Sequence, residues 1–263
     1  MSTFRLLLVL PFLLLGGSSV RAQPPDTVFI EELTWTELRD LVRSGKTTII
    51  VPIGGTEQNG PHMALGKHNL RVRFLSEKIA RTLGNALVAP VIAYVPEGAI
   101  EPPTAHMRFP GTITVPEEAF EKTLEYAARS FKRAGFRDIV FLGDHGGYQK
   151  DEKTVADRLD KEWSATPVRA HAIEEYYRAS ESGFAGLLKS KGYSEAEIGV
   201  HAGLADTSLT LAVDPRLVRT DRSQSGDGVR GDPRRASAEL GQLGVDLIVA
   251  RTVDAIRQVT TRH

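Results

Sequence analysis

The 263-residue chain contains no cysteine, which excludes a disulfide scaffold and any thiolate metal site. It has no excess of charge of either sign. Lys plus Arg number 33 and Asp plus Glu 33, so no net field draws the protein to nucleic acid or to an anionic lipid surface. Beyond residue 22, no apolar stretch approaches the roughly twenty residues that a membrane span needs. The long apolar run that does exist, residues 6–15, follows Arg5 and leads through Gly16, Gly17, Ser18 and Ser19 to Val20-Arg21-Ala22. That is the layout of a secretory signal peptide over residues 1–22, too short to serve comfortably as a span. Export to the periplasm or the exterior is the expectation, with no membrane attachment after cleavage. Cleavage would leave 263 − 22 = 241 residues.

What remains is 41% hydrophobic over the whole chain, ample for one buried core. Residues 23–30 open with Gln23-Pro24-Pro25-Asp26 and read as a linker, and residues 31–263 as a single domain without repeats. Thr34-Trp35-Thr36-Glu37 fits a capping box that starts a helix ending at Gly45. Residues 47–53 (TTIIVPI) form a β-branched apolar run suited to a strand buried on both faces. The spacing of Val72, Leu75, Ile79 and Leu83 predicts a helix stopped by Gly84, then a strand over 86–95. A long helix from Pro116 to Gly135, a strand over 138–142, a helix over 150–163 and a strand over 168–173 follow. Residues 176–192 read as a helical excursion, 223–235 as a Gly- and charge-rich loop, and 236–258 as a closing amphipathic helix. Strands alternating with helices predict a three-layer α/β/α sandwich with a mostly parallel sheet.

In such sheets the site lies at the carboxyl ends of the strands. Three polar clusters fall there: residues 57–62 through His68-Asn69, then Asp144-His145, then His201 through Asp206-Thr207-Ser208. A lone loop histidine ordinarily serves the loop's own hydrogen bonds, and Asp206 before Thr207 and Ser208 also fits a helix N-cap. Yet His62, His68, His145 and His201, four of the seven histidines, all sit in these loops. Imidazole mixed with carboxylate suits zinc, manganese or iron as a divalent ion.

Glu57-Gln58-Asn59-Gly60-Pro61-His62-Met63-Ala64-Leu65-Gly66 resembles the first signature of the creatininase (creatinine amidohydrolase) family. Phe109-Pro110-Gly111-Thr112-Ile113, His145-Gly146-Gly147, His201-Ala202-Gly203 with Asp206-Thr207-Ser208, and Gly231-Asp232-Pro233 follow in the same order. The resemblance covers about residues 30 to 260. It implies a three-layer α/β/α domain that forms homo-oligomers and uses a divalent metal centre, commonly binuclear, to hydrolyse non-peptide carbon–nitrogen bonds.

By position, the resemblance makes Glu57 and His145 ligands of the first metal and His201 the proton-transfer histidine. His68 falls where the family has a metal-bridging aspartate, and Asn59 where it has a histidine for the second metal. Leu204 stands for a carboxylate, Asp206 for a longer one, and Gly147 and Tyr148 offer no ligand. The expectation is therefore one ion rather than two, most simply zinc, held by Glu57, His68 and His145 with Asp206 as a further ligand. His201 or Asp144 would act as general base. Asn59 and His62 would orient substrate or metal ligands, and His106 would line the pocket. The expected reaction is hydrolysis of a small-molecule amide or cyclic amide. The alternatives are a peptide-like bond as substrate, a metal-free or weakly metal-binding small-molecule binder with a degenerate site, and, least suited to so many histidines, a non-enzymatic subunit.

Overall fold

The computed structural model describes residues 25–261, so the expected signal peptide lies outside the described residues. Four strands form one parallel sheet: β1 (Thr48–Ile53), β2 (Ala86–Val88), β3 (Asp138–Gly143) and β4 (Arg169–Ala172), in the order β2-β1-β3-β4. Every residue of β1 and β3 is buried, as a central parallel strand with covered faces requires. The helices are α1 (Trp35–Arg43), α2 (Lys67–Leu83), α3 (Glu117–Ala134), α4 (Gln149–Glu162), α5 (Glu174–Arg178), α6 (Phe184–Ser190), α7 (Glu195–Ile198), α8 (Leu204–Val213) and α9 (Ala238–Thr260).

Because side chains alternate along a strand, the sheet serves two cores. Ile50, Val140 and Leu142 face Val72, Leu75 and Ile79 of α2, Leu209 of α8 and Ile248 of α9. Ile49, Val51, Ile139 and Phe141 face Phe120 and Leu124 of α3 and Val155 and Leu159 of α4, with Leu38 and Leu41 of α1 at the margin. This is the expected three-layer sandwich.

Local chemistry sets the element ends. Thr34 caps α1 through its hydroxyl oxygen, which accepts from the Glu37 N–H, while the Glu37 carboxylate accepts from the Thr34 N–H, completing the capping box. Three boundaries differ from the sequence expectation. The second strand stops at Val88 rather than residue 95, since Pro90 has no N–H for a ladder; the Ala89 N–H still donates to the Ile50 carbonyl oxygen, and the chain meets β1 again at the Ile53–Ile92 bridge. The end of the supposed linker is core: Val28 and Phe29 are buried, and Phe29 bridges Val88, covering the β2 edge. The excursion over 176–192 is broken by a π-helical turn, Ala179–Gly183, between α5 and α6.

Candidate metal centre

The carboxyl ends of three adjacent strands open on one spot. Glu57 follows β1, Glu97 follows β2 and His145 lies two residues beyond β3, while His106 comes from a 3-10 turn at Ala105–Arg108. Glu57, Glu97, His106 and His145 can each present one ligand atom, and those four atoms lie within 4.8 Å of one another. Backbone geometry makes room for the second carboxylate. Gly55 has φ +149°, and a Cβ there would stand 2.7 Å from Glu97 Oε1.

Both glutamates are buried, and Glu57 Oε2 and the two Glu97 oxygens have no hydrogen-bond partner among the described residues. His106 Nε2 lies 3.1 Å and His145 Nε2 3.6 Å from Glu57 Oε2. Two full negative charges at the 4.8 Å limit would repel by about 3.5 kcal/mol at an effective dielectric near 20. A proton or a cation must therefore sit between the carboxylates. Burial raises the Glu97 carboxyl, and the neighbouring Glu57 charge raises it further, to about 9. Burial also acts on Glu57, but the His68 hydrogen bond and the charges of His68 and Lys67 outweigh it and hold its pKa well below the usual range. Burial pushes His145 down to about 3, despite the Glu57 charge, so its ring is neutral at neutral pH. Orphaned carboxylate oxygens converging with neutral imidazoles fit a divalent ion of zinc or manganese type.

Behind this cluster runs a chain of buried charges. His68 Nε2 lies 2.8 Å from Glu57 Oε1 and its Nδ1 2.6 Å from Asp144 Oδ1. Carboxylates only accept, so both ring nitrogens donate and neither has a lone pair for a metal. Burial and Lys67 disfavour its charge, but the bonds to Asp144 and Glu57 prevail and raise its pKa. Asp144 Oδ1 also accepts from Arg71 Nε at 2.8 Å, and its Oδ2 from the Tyr176 hydroxyl at 2.5 Å. Arg71 Nη1 reaches Asp206 Oδ1 at 2.8 Å, while Lys67 Nζ and the Ala202 N–H hold Asp206 Oδ2 at 2.6 and 2.9 Å.

The structure thus brings Glu57 and His145 together and places several of the other expected site residues outside the donor cluster. His68 is not among the four clustered donors, because its two nitrogens are spent on carboxylates. Nor is Asp206, whose oxygens are occupied by Lys67, Arg71 and the Ala202 N–H. Asp144, considered as a base, has both oxygens taken and a pKa that stays low: burial opposes its ionisation, but Arg71 and His68 override it. Asn59 donates to the Glu57 carbonyl oxygen at 2.9 Å, fixing the ligand loop rather than facing the cavity. His62 is equally buried and bonds Thr207 Oγ1 at 3.0 Å, tying that loop to α8. His106, expected only to line the pocket, stands within the donor cluster. His201 does reach the site: its Nδ1 is 3.8 Å from Glu57 Oε1, and its Nε2 is 3.0 Å from the Gln58 carbonyl oxygen. Burial and the Lys67 charge push it down to about 4. A cavity of about 380 Å³ opens over these groups, with His106, His145, His201, Lys67 and Arg230 in its wall.

Sequence reasoning missed Glu97, Lys67 and Arg71. Glu97 carried one usable signal, its place in the Pro96-Glu97-Gly98 loop just beyond an expected strand. Lys67 and Arg71 carried none, since both residue types ordinarily face water.

A parallel α/β sheet whose strand ends gather clustered carboxylates and imidazoles has the layout of a strand-end active site with a donor set that could hold a metal ion. The model of the creatininase family, creatinine amidohydrolase, matches residues 31–256, and the chain belongs to that family. Creatinine amidohydrolase of Pseudomonas putida is 25% identical over 260 residues, covering 88% of this chain and 97% of that protein. A 3-dehydro-scyllo-inosose hydrolase of Thermotoga maritima is 26% identical, over 75% of this chain and 60% of the relative. A mycofactocin precursor peptide peptidase of Mycolicibacterium smegmatis is 27% identical, over 80% and 84%. Among solved structures, a manganese creatininase superposes with a TM-score of 0.71 at 25% identity, covering 89% of this chain and 98% of its own. A creatininase mutant described as of Zn-Zn type gives 0.71 at 24% identity, over 89% and 99%. The named relatives are hydrolases.

Proposed function

We propose that the protein is a metal-dependent hydrolase of an amide carbon–nitrogen bond in a small molecule, with one divalent ion held by Glu57, Glu97, His106 and His145. The observation that carries this reading is the convergence of the orphaned Glu57 and Glu97 oxygens with two imidazoles at the strand ends. Zinc is the favoured ion and manganese the next, in line with the donor set and with the zinc and manganese creatininase structures.

Bound there, such an ion supplies an acidified water and polarisation of a carbonyl. The chain's own groups do the rest. Asp144, through His68, fixes the orientation of the Glu57 carboxylate, as a second hydrogen-bonded partner does for a metal ligand. His201, neutral at neutral pH and walling the cavity, takes the proton of the attacking water and returns it to the leaving nitrogen. Glu57 beside His201 stabilises the transient imidazolium.

A second reading has its own support, because relatives named as precursor peptide peptidases place peptides among the bonds this family cleaves. Protein purified without a His-tag should contain one equivalent of metal and turn over a member of a panel of cyclic amides, formamides and short peptides. Turnover confined to peptides would shift the substrate to the second reading. Absence of metal together with small-molecule binding would identify a degenerate site that binds without hydrolysis.

A further inference from the structure

Lys67 is the first residue of α2, yet it is 1% exposed, and its Nζ carries three N–H bonds. Among the described residues its one hydrogen-bonding partner is Asp206, at 2.6 Å. Asp206 does not need it as a sole partner, since Arg71 Nη1 already lies 2.8 Å from the other oxygen. Lys67 is one of the residues lining the same cavity as His106, His145 and His201, and among the described residues Asp206 takes only one of its three ammonium N–H bonds. A buried cation with unspent donors beside a hydrolytic cluster is suited to one chemical partner, an oxygen that carries or gains negative charge.

We propose that the Lys67 ammonium is the oxyanion donor of this cavity; resting on the hydrolase reading, it stabilises the carbonyl oxygen of the amide substrate as that oxygen gains charge. When the water oxygen bonds to the carbonyl carbon, the π pair moves onto the carbonyl oxygen, where the ammonium hydrogen bonds stabilise it. Return of that pair re-forms the C=O and breaks the C–N bond. The leaving nitrogen takes the proton that His201 removed from the water, so the products are a carboxylic acid and an amine. Asp206, clamped by Arg71 and the Ala202 N–H, is the positioning residue that keeps the ammonium from relaxing away. Preorganisation of this kind is what makes a single donor effective, because nothing needs to reorient as charge develops.

The test uses inorganic phosphate, a tetrahedral oxyanion, as probe, titrated calorimetrically into zinc-treated protein and into the K67M and K67R variants at matched zinc content. Lys67→Met should weaken phosphate about ten- to a hundredfold, the loss of a charge-assisted bond, while zinc stoichiometry stays that of the wild type. Lys67→Arg, which keeps the charge, should lose less. If Lys67→Met does not fold with Asp206 left less compensated, the double variant K67M/D206N removes both charges of the pair and should show the same loss. With any turned-over amide, Lys67→Met should lower kcat by about 10²–10³-fold with KM little changed. No phosphate binding by the wild type, or equal affinity in wild type and K67M, overturns the proposal. Phosphate binding that depends on Lys67 in a protein that takes up no zinc and hydrolyses no amide supports the oxyanion site and defeats the hydrolase reading instead.

Discussion

Arg71→Met tests whether the charge chain behind the site is held together as described. Arg71 is 3% exposed and lies 2.7–2.8 Å from carboxylate oxygens of Asp144 and Asp206. Methionine fills similar volume but leaves buried Asp144 without its main cation and partly buried Asp206 with Lys67 as its remaining one. Removing one partner of a buried pair typically costs about 3–5 kcal/mol. For a domain of this size each kcal/mol lowers Tm by roughly 2–4 °C, so the fall should be roughly 6–20 °C by differential scanning calorimetry.

The pH dependence gives the sharper check. The folded pKa values of Asp144 and Asp206 are depressed, burial being overridden by Arg71 with His68 for the first and by Lys67 with Arg71 for the second. A depressed carboxylate binds fewer protons folded than unfolded. Its stabilisation is therefore present above the unfolded value of about 3.9 and lost as pH falls through the folded value. The gap between wild type and Arg71→Met should be full at pH 7 and close as the pH drops below about 4. A loss below about 1 kcal/mol, or a gap that is the same at pH 7 and at pH 3, would refute the reasoning.

Other outcomes follow from the same geometry. His145→Ala should abolish both bound metal and hydrolysis, read by elemental analysis and the substrate panel; full metal content would remove His145 from the ligand set. Gly55→Ala should weaken metal binding without unfolding the chain, because its Cβ would sit 2.7 Å from Glu97 Oε1; an unchanged metal dissociation constant would show that Glu97 needs no such clearance. Ile49→Ala, at a fully buried position of β1, should cost about 2–5 kcal/mol in denaturant unfolding, and a cost under 1 would mean the sheet is not packed on that face. If residues 1–22 act as the expected export signal, the full chain expressed in an exporting bacterial host should be recovered outside the cytoplasm with Gln23 first, as N-terminal sequencing would read; recovery in the cytoplasm with Met1 retained would contradict it.

The layered architecture is legible in the sequence because its causes are local. The β-branched run at 48–53, the Thr34 capping box and the helix-ending glycines Gly84 and Gly135 each act within a few residues. Glu57 and His145 stand out for a related reason, as chemistry-bearing residues in the loops just beyond buried strands. The other half of the donor cluster is not. Glu97 is an isolated carboxylate whose meaning depends on Gly55 and Glu57 across the sheet, and His106 looks like any loop histidine. His68 shows the converse: the resemblance puts it where a ligand is expected, while its contact with Asp144, 76 residues away, could not be read locally. Lys67 and Asp206 are separated by 139 residues, and only the fold turns an ordinary lysine into a buried ammonium beside the site.

Glu97 and His106 are proposed to complete the metal site in which His68 and Asp206 were expected from the sequence. Elemental analysis of untagged wild type, Glu97→Gln, His106→Gln, His68→Asn and Asp206→Asn, each equilibrated with one excess of zinc, measures this most directly. One zinc per chain is expected in the wild type, and a substoichiometric amount in Glu97→Gln and His106→Gln. His68→Asn and Asp206→Asn should retain zinc wherever they fold. Full occupancy in Glu97→Gln and His106→Gln, with loss in folded His68→Asn, would contradict it.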